Sequence, residues 1–100
     1  MKTIIQEEGK LLVALFDGRL DTAAADQTKQ DLLPLKECQG RDIVLDCAKL
    51  NYISSSGLRL FLTVLKDAKP KGSHVYLRNV SDHIRDVFTM TGFFTLFEFM

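Results

Sequence analysis

A chain of 100 residues has room for one domain and little for a second. Its composition, 46% hydrophobic and 26% charged, is an ordinary globular balance and excludes a disordered or low-complexity protein. The formal net charge is zero, so the basic footprint of a nucleic-acid binder and the polybasic anchor of a membrane-surface protein are both missing, and no apolar run approaches the roughly 20 residues of a membrane helix.

The opening stretch, MKTIIQEEGK, sets an apolar pair directly before acidic residues. No signal peptide is expected from it, and the default compartment is the cytoplasm. TIIQ reads as a short strand, and EEGK supplies a hairpin glycine. KLLVALF, residues 10–16, is a continuous apolar run of strand length, the pattern of a strand covered on both faces. Asp21 is placed to cap a helix whose Ala25, Thr28, Leu32 and Leu35 recur at helical spacing. Pro34 disfavours helical geometry at Leu33, so that helix is predicted to end near there.

RDIVLDC, residues 41–47, is predicted as a central strand, with AKLNY as a short connector. From Gly57 onward, Leu58, Phe61, Leu62, Leu65 and Ala68 form one helix face, which KPKG ends. HVYLRN reads as a strand. Ser81 is a suitable cap for a third helix carrying Ile84, Val87, Phe88 and Thr91 on one face, and Gly92 fits its C-terminal left-handed position. FFTLFEF closes the chain as a last strand.

The order β-β-α-β-α-β-α-β predicts a single α/β domain over residues 1–100. It has a mixed sheet of about five strands with helices mainly on one face. Cys38 and Cys47 match neither C-x-x-C nor a zinc ligand set, and His74 and His83 are too few to complete a metal site. Both cysteines are read as structural thiols, and no metal or cofactor is expected.

The most informative stretch is NYISSSGL, residues 51–58. Its simplest reading is a loop that caps a helix. A sharper one starts from position: the serines follow the predicted central strand and open a helix. Its unpaired N–H groups and dipole favour an anion there. Ser56 is the last hydroxyl before Gly57, and phosphorylation would set about −1.5 to −2 charges beside that dipole without disturbing the fold. Asp21, which opens the first helix, and Asp46, which ends the strand before the serines, read either as a helix cap and an ordinary strand-end acid or as two carboxylates expected to gather near Ser56 at the carboxyl edge of the sheet. Leu60 and Val64 fall outside the predicted stripe; they are either half buried or an exposed apolar pair suited to partner docking.

Taken in order, GRLDTAAADQ, LDCAKLNYISSSGL and MTGFFTLFEF resemble the STAS domain family, in particular the bacterial anti-sigma factor antagonists. The resemblance covers nearly the whole chain. It implies a non-enzymatic regulator that binds an anti-sigma factor serine kinase when unphosphorylated. It is released by phosphorylation of a loop serine and reset by a metal-dependent serine phosphatase. Matched by position, the phosphoacceptor is Ser56. Asp21 and Asp46 match commonly acidic positions, and the partner-binding region takes in Ser54, Ser55, Gly57, Leu58, Leu60 and Val64. The family usually carries an aspartate where this chain has Ser54.

Three other readings stand beside this one. An unswitched STAS adaptor of a transport ATPase or signalling scaffold would keep the fold and lose the phosphorylation. A serine enzyme would need a base beside Ser56, and SSSGL is not G-x-S-x-G. A nucleotide site would lack GxxxxGK. The rings Phe93, Phe94, Phe97 and Phe99 read as core and edge strand, with some of them open to a partner or to a weak homodimer contact.

Overall fold

A computed structural model describes residues 1–37 and 40–100, so the reading of Cys38 lies outside the described residues. The sheet order is β1 (Lys2–Glu8), β2 (Leu11–Leu20), β3 (Ile43–Ile53), β4 (Val75–Arg78) and β5 (Glu98–Phe99). The first pair is antiparallel and the remaining pairs are parallel. Gly9, at φ +62°, starts the two-residue turn between β1 and β2, a conformation glycine adopts without steric cost.

Helices α1 (Thr22–Asp31), α2 (Ser55–Ala68) and α3 (Asp82–Met90) share one face of the sheet. Their buried side chains join Leu12, Ala14, Phe16, Ile43, Leu45 and Leu77 in a single core. A chain of rings runs through it: Phe16 lies 5.2 Å from Phe61, Phe61 lies 6.0 Å from Phe88, and Phe88 meets Phe97 edge-on at 5.7 Å. Each such contact contributes about 0.5–1.5 kcal/mol beyond its buried area.

Several of the predicted elements have different bounds. β2 and β3 run further than expected, to Leu20 and Ile53, so AKLNY is strand and not connector. Leu20, Leu50 and Ile53 are buried, and pairing the two extensions satisfies their backbone groups. β3 accommodates one extra residue between the Leu15 and Asp17 partners and another between those of Gly18 and Arg19. FFTLFEF contains a 3-10 turn, Phe94–Leu96, and only Glu98 and Phe99 pair with β4. Its rings are used for packing: Phe97 is buried against Phe88, and Phe94 stacks on Phe99 at 4.8 Å. α1 stops at Asp31, just short of the predicted end, and Leu33–Glu37 continues as a 3-10 turn through Pro34.

The apolar run of β2 is covered by helices on one face only. On the other face Val13 and Val44 are nevertheless fully buried. Arg78, on β4, donates to both carboxylate oxygens of Glu8, on β1, at 3.1 Å. Four strands about 4.8 Å apart place those two backbones roughly 14 Å from one another, so the two side chains reach across β2 and β3 above the valines. Arg78 also donates to Asp46 at 2.8 Å. Glu8 is thereby held below its ordinary carboxyl pKa of 4.5, chiefly by the Arg78 hydrogen bonds, and Arg78 is pushed up by the same contacts.

Arg78→Ala is expected to lower stability by about 2–3 kcal/mol. That is below the cost of breaking a fully buried pair, because a quarter of the Arg78 side chain is exposed. A group whose folded pKa is depressed stabilises above its unfolded value. The Glu8 share is therefore present above pH 4.5 and is lost as pH falls through the lower folded value. Urea unfolding of both proteins at neutral pH and near pH 3 checks this: the difference between them should shrink in acid.

Candidate functional site

Parallel pairing brings the ends of β2 and β3 together, with Leu20 opposite Ile53. One residue further, each chain turns into a helix. The Asp21 carboxylate accepts from the Ala24 N–H at 2.9 Å and caps α1. Ser54 Oγ accepts from the Gly57 N–H at 3.2 Å and caps α2. The Ser54 N–H donates to the Leu20 carbonyl at 2.8 Å, which fastens the two helix starts side by side. The structure thus sets Asp21 beside the serine loop.

Within the loop the three serines differ. Ser54 is buried, with 8% of its surface exposed, and its hydroxyl is committed to the cap. Ser55 is exposed and Ser56 half buried, both in the first turn of α2. That turn contains no acidic side chain, so the positive end of the helix is not compensated from within it. Gly57 is here for space: a Cβ on it would come within 2.7 Å of Leu20 Cγ and 2.9 Å of Ile53 Cγ1. α2 therefore starts in direct contact with the core, and Ser56 is carried on a fixed platform.

An aspartate at the position of Ser54 would present a carboxylate oxygen to the same N–H, so serine keeps the capping function there. Ser54→Ala is expected to cost about 1 kcal/mol and Ser54→Asp almost nothing. Urea denaturation midpoints, compared at equal m-values, measure both.

Asp46 is not part of this cluster, contrary to the expectation. The extension of β3 leaves it seven residues before Ile53, up to about 23 Å along the strand. Its carboxylate accepts from Arg78, from the Asn79 amide at 3.2 Å and from the Ala48 N–H at 2.9 Å, and so holds the β3 irregularity on the helix-free face. Arg78 and Asn79 went unnoticed as its partners. Strand alternation with Val75 and Leu77 was the available signal, since it puts Arg78 on the face away from the core.

Leu58 and Val64 are also displaced from a contact role. They are 2% and 7% exposed and belong to the core stripe of α2, together with Gly57, Phe61 and Ala68. Leu60 is half buried and lines a groove with Leu32, Leu33 and Leu35, flanked by Lys29 and Lys36. α1 and the 3-10 turn that follows lie against this side of α2, which widens its apolar face beyond the single stripe.

Neither histidine is joined to Ser56. The His74 N–H donates to the Asp42 carboxylate, and its Nδ1 lies 3.3 Å from Glu98 Oε2, at the opposite ends of these parallel strands. His83 is exposed in the first turn of α3. Cys47 is fully buried, and its thiol is pushed up to about 12, first by desolvation and then by Asp46. Among the described residues no group of three His, Cys, Asp or Glu side chains could hold a metal ion, and no helix is long and apolar enough to cross a membrane.

The fold is thus one α/β sheet with its helices on one face and two capped helix starts pinned together at the ends of β2 and β3. The STAS domain model matches residues 2–100, and the chain belongs to that family. BtrV of Bordetella bronchiseptica, assigned as an anti-sigma factor antagonist, is 33% identical over 97 residues, covering 97% of this chain and 84% of that protein. The anti-sigma-B factor antagonist of Staphylococcus aureus is 32% identical over 75 residues, 75% of this chain and 69% of that protein. The anti-sigma factor antagonist SpoIIAA shares the fold in its unphosphorylated form, with TM-score 0.75 and 20% identity over 99% of this chain and 87% of that one. Its phosphorylated form gives TM-score 0.72 and 22% identity, covering 99% and 91%. Anti-sigma factor antagonists are non-enzymatic regulators.

Proposed function

We propose that this protein is a cytoplasmic anti-sigma factor antagonist switched at Ser56. With a free hydroxyl it binds an anti-sigma factor that is also a serine kinase. Transfer of the γ-phosphoryl group of ATP to Ser56 Oγ, with loss of the hydroxyl proton, ends that binding, and a serine phosphatase reverses it by hydrolysis. The observation that carries this reading is the division of labour in the loop. Ser54 does the capping, Gly57 does the packing, and Ser56 is left part-exposed, with no hydrogen-bonding duty for its hydroxyl among the described residues.

Physical chemistry supports such a switch. A phosphoryl group in the first turn of α2 meets the positive end of the helix, so the fold tolerates it. The partner would have to desolvate it, and it would stand close to the Asp21 carboxylate. In the unmodified state Asp21 offers a single negative charge that a partner's Lys or Arg can engage, and Leu60 offers half-buried apolar surface nearby on the same helix.

Incubation with the serine-kinase anti-sigma factor of the same organism and ATP, followed by phosphopeptide mapping, tests the assignment. One phosphate on Ser56, absent in Ser56→Ala, is expected. A kinase that labels its own antagonist while leaving Ser56 unmodified would transfer the case to the unswitched adaptor.

A further inference from the structure

We propose that β1 is the contact edge of a two-fold homodimer, paired antiparallel about Ile5. This stands independently of the phosphorylation reading. β1 is the outer strand of the sheet, seven residues long, with no proline and an unbroken register against β2. The direction of its backbone groups follows from the neighbouring strand. The Leu12 N–H donates to the Asp42 carbonyl at 3.0 Å, on the β3 side. Successive residues of a strand point to alternate neighbours, so Leu11, Val13 and Leu15 address β1, where they face Glu8, Gln6 and Ile4. The N–H and C=O groups of Thr3, Ile5 and Glu7 therefore point outward from the sheet.

An antiparallel partner must bring outward-pointing residues opposite one another. A two-fold axis at Ile5 does so: Ile5 meets Ile5 of the second copy, and Thr3 meets its Glu7 on either side. The same register sets Lys2 against Glu8 of the second copy at both ends and Ile4 against its Gln6. Moving the axis to Ile4 sets Lys2 against Gln6 and loses the charge pairs. Moving it to Gln6 sets Lys2 against Lys10. Odd shifts put outward groups against inward ones. Charge and hydrogen-bond phase thus select one register. Glu8 already accepts from Arg78, and a carboxylate has room for a further donor.

Ile4, 42% exposed, would be partly covered across the join. The two sheets would become one, with Ser56 away from the seam, since α2 follows β3 and not the β1 edge. Edge pairing alone buries little surface, so the association belongs to the weak class.

Sedimentation equilibrium of the full chain up to about 1 mM is expected to show a monomer–dimer equilibrium. Lys2→Glu should weaken it about tenfold, by replacing two attractive pairs with two repulsive ones. Glu7→Pro should weaken it at least as much relative to Glu7→Ala, a control that gives up the same Arg41–Glu7 contact, with little further change in monomer unfolding because the N–H it removes faces solvent in the monomer. Mixing Ile4→Cys with Gln6→Cys under mild oxidation should give a disulfide between positions 4 and 6 of different chains, read by peptide mapping. A chain that stays monomeric at that concentration, a dimer indifferent to both substitutions, or cross-links in another register would each overturn the proposal.

Discussion

Ser56→Asp is expected to weaken binding to the serine-kinase anti-sigma factor about hundredfold, while Ser56→Ala stays within about threefold of the unmodified chain. The added charge acts with opposite signs inside the molecule and between molecules. Inside the molecule, a negative charge in the first turn of α2 meets the uncompensated end of the helix and should stabilise the fold by about 0.3–1 kcal/mol. Between molecules, the proposed contact would strip water from the same charge, on a helix start pinned to the one that Asp21 caps. Stranding a buried charge in an interface costs about 2–5 kcal/mol, and each 1.4 kcal/mol is tenfold in affinity. A variant that is more stable and binds less well separates this account from simple damage to the fold. Ser55→Asp is the control: it sits in the same turn and should share the gain in stability, while its more exposed side chain should affect binding less. Calorimetric titration and thermal unfolding of the set measure both signs.

The second large effect is expected at Gly57. Its backbone is ordinary right-handed helix, so conformational strain is not the reason for glycine. Space is. An added Cβ would come within 3.0 Å or less of two Leu20 atoms and one Ile53 atom, and both side chains are themselves packed, at 0% and 3% exposure. Overpacking of this kind costs about 1–3 kcal/mol. Alanine recovers up to about 1 kcal/mol in helix propensity, so packing wins. Gly57→Ala should lose about 1–2 kcal/mol and about 5–15 °C in Tm. Since the clash lies under the start of α2, it should also shift the turn that carries Ser56 and weaken partner binding. Leu20→Ala in the Gly57→Ala background should cost measurably less than Leu20→Ala alone, because the new methyl fills part of the cavity. Equal costs in the two backgrounds would show that the contact is not where the strain lies.

Much of this was legible in the residues. Asp21 and Ser81 mark helix starts by a local hydrogen bond, and local chemistry reads off a sequence well. The same is true of Gly92, at φ +78° past the end of α3. What escaped depended on partners distant in the chain. AKLNY looks like a connector until β2 supplies its extension as a pairing strand, and that change removes Asp46 from the Ser56 neighbourhood. Val64 lies off the stripe of an ideal one-faced helix, yet it is buried where α1 and the following 3-10 turn lie against the side of α2. The span from Glu8 to Arg78 joins residues seventy positions apart, and no window of the sequence contains both. The serine run was readable as a helix cap, but which of the three hydroxyls does the capping is settled only by the bond from the Gly57 N–H to Ser54 Oγ.

The central claim is that one phosphoryl group on α2 controls a protein–protein contact while the scaffold stays as it is. Its most direct test is a titration of the serine-kinase anti-sigma factor with this protein, unmodified and stoichiometrically phosphorylated at Ser56, with amide chemical shifts recorded for both forms. Phosphorylation is expected to lower affinity about hundredfold or more, with shift changes confined to the starts of α1 and α2. Equal affinities for the two forms, or shifts spread through the sheet and core, would contradict it.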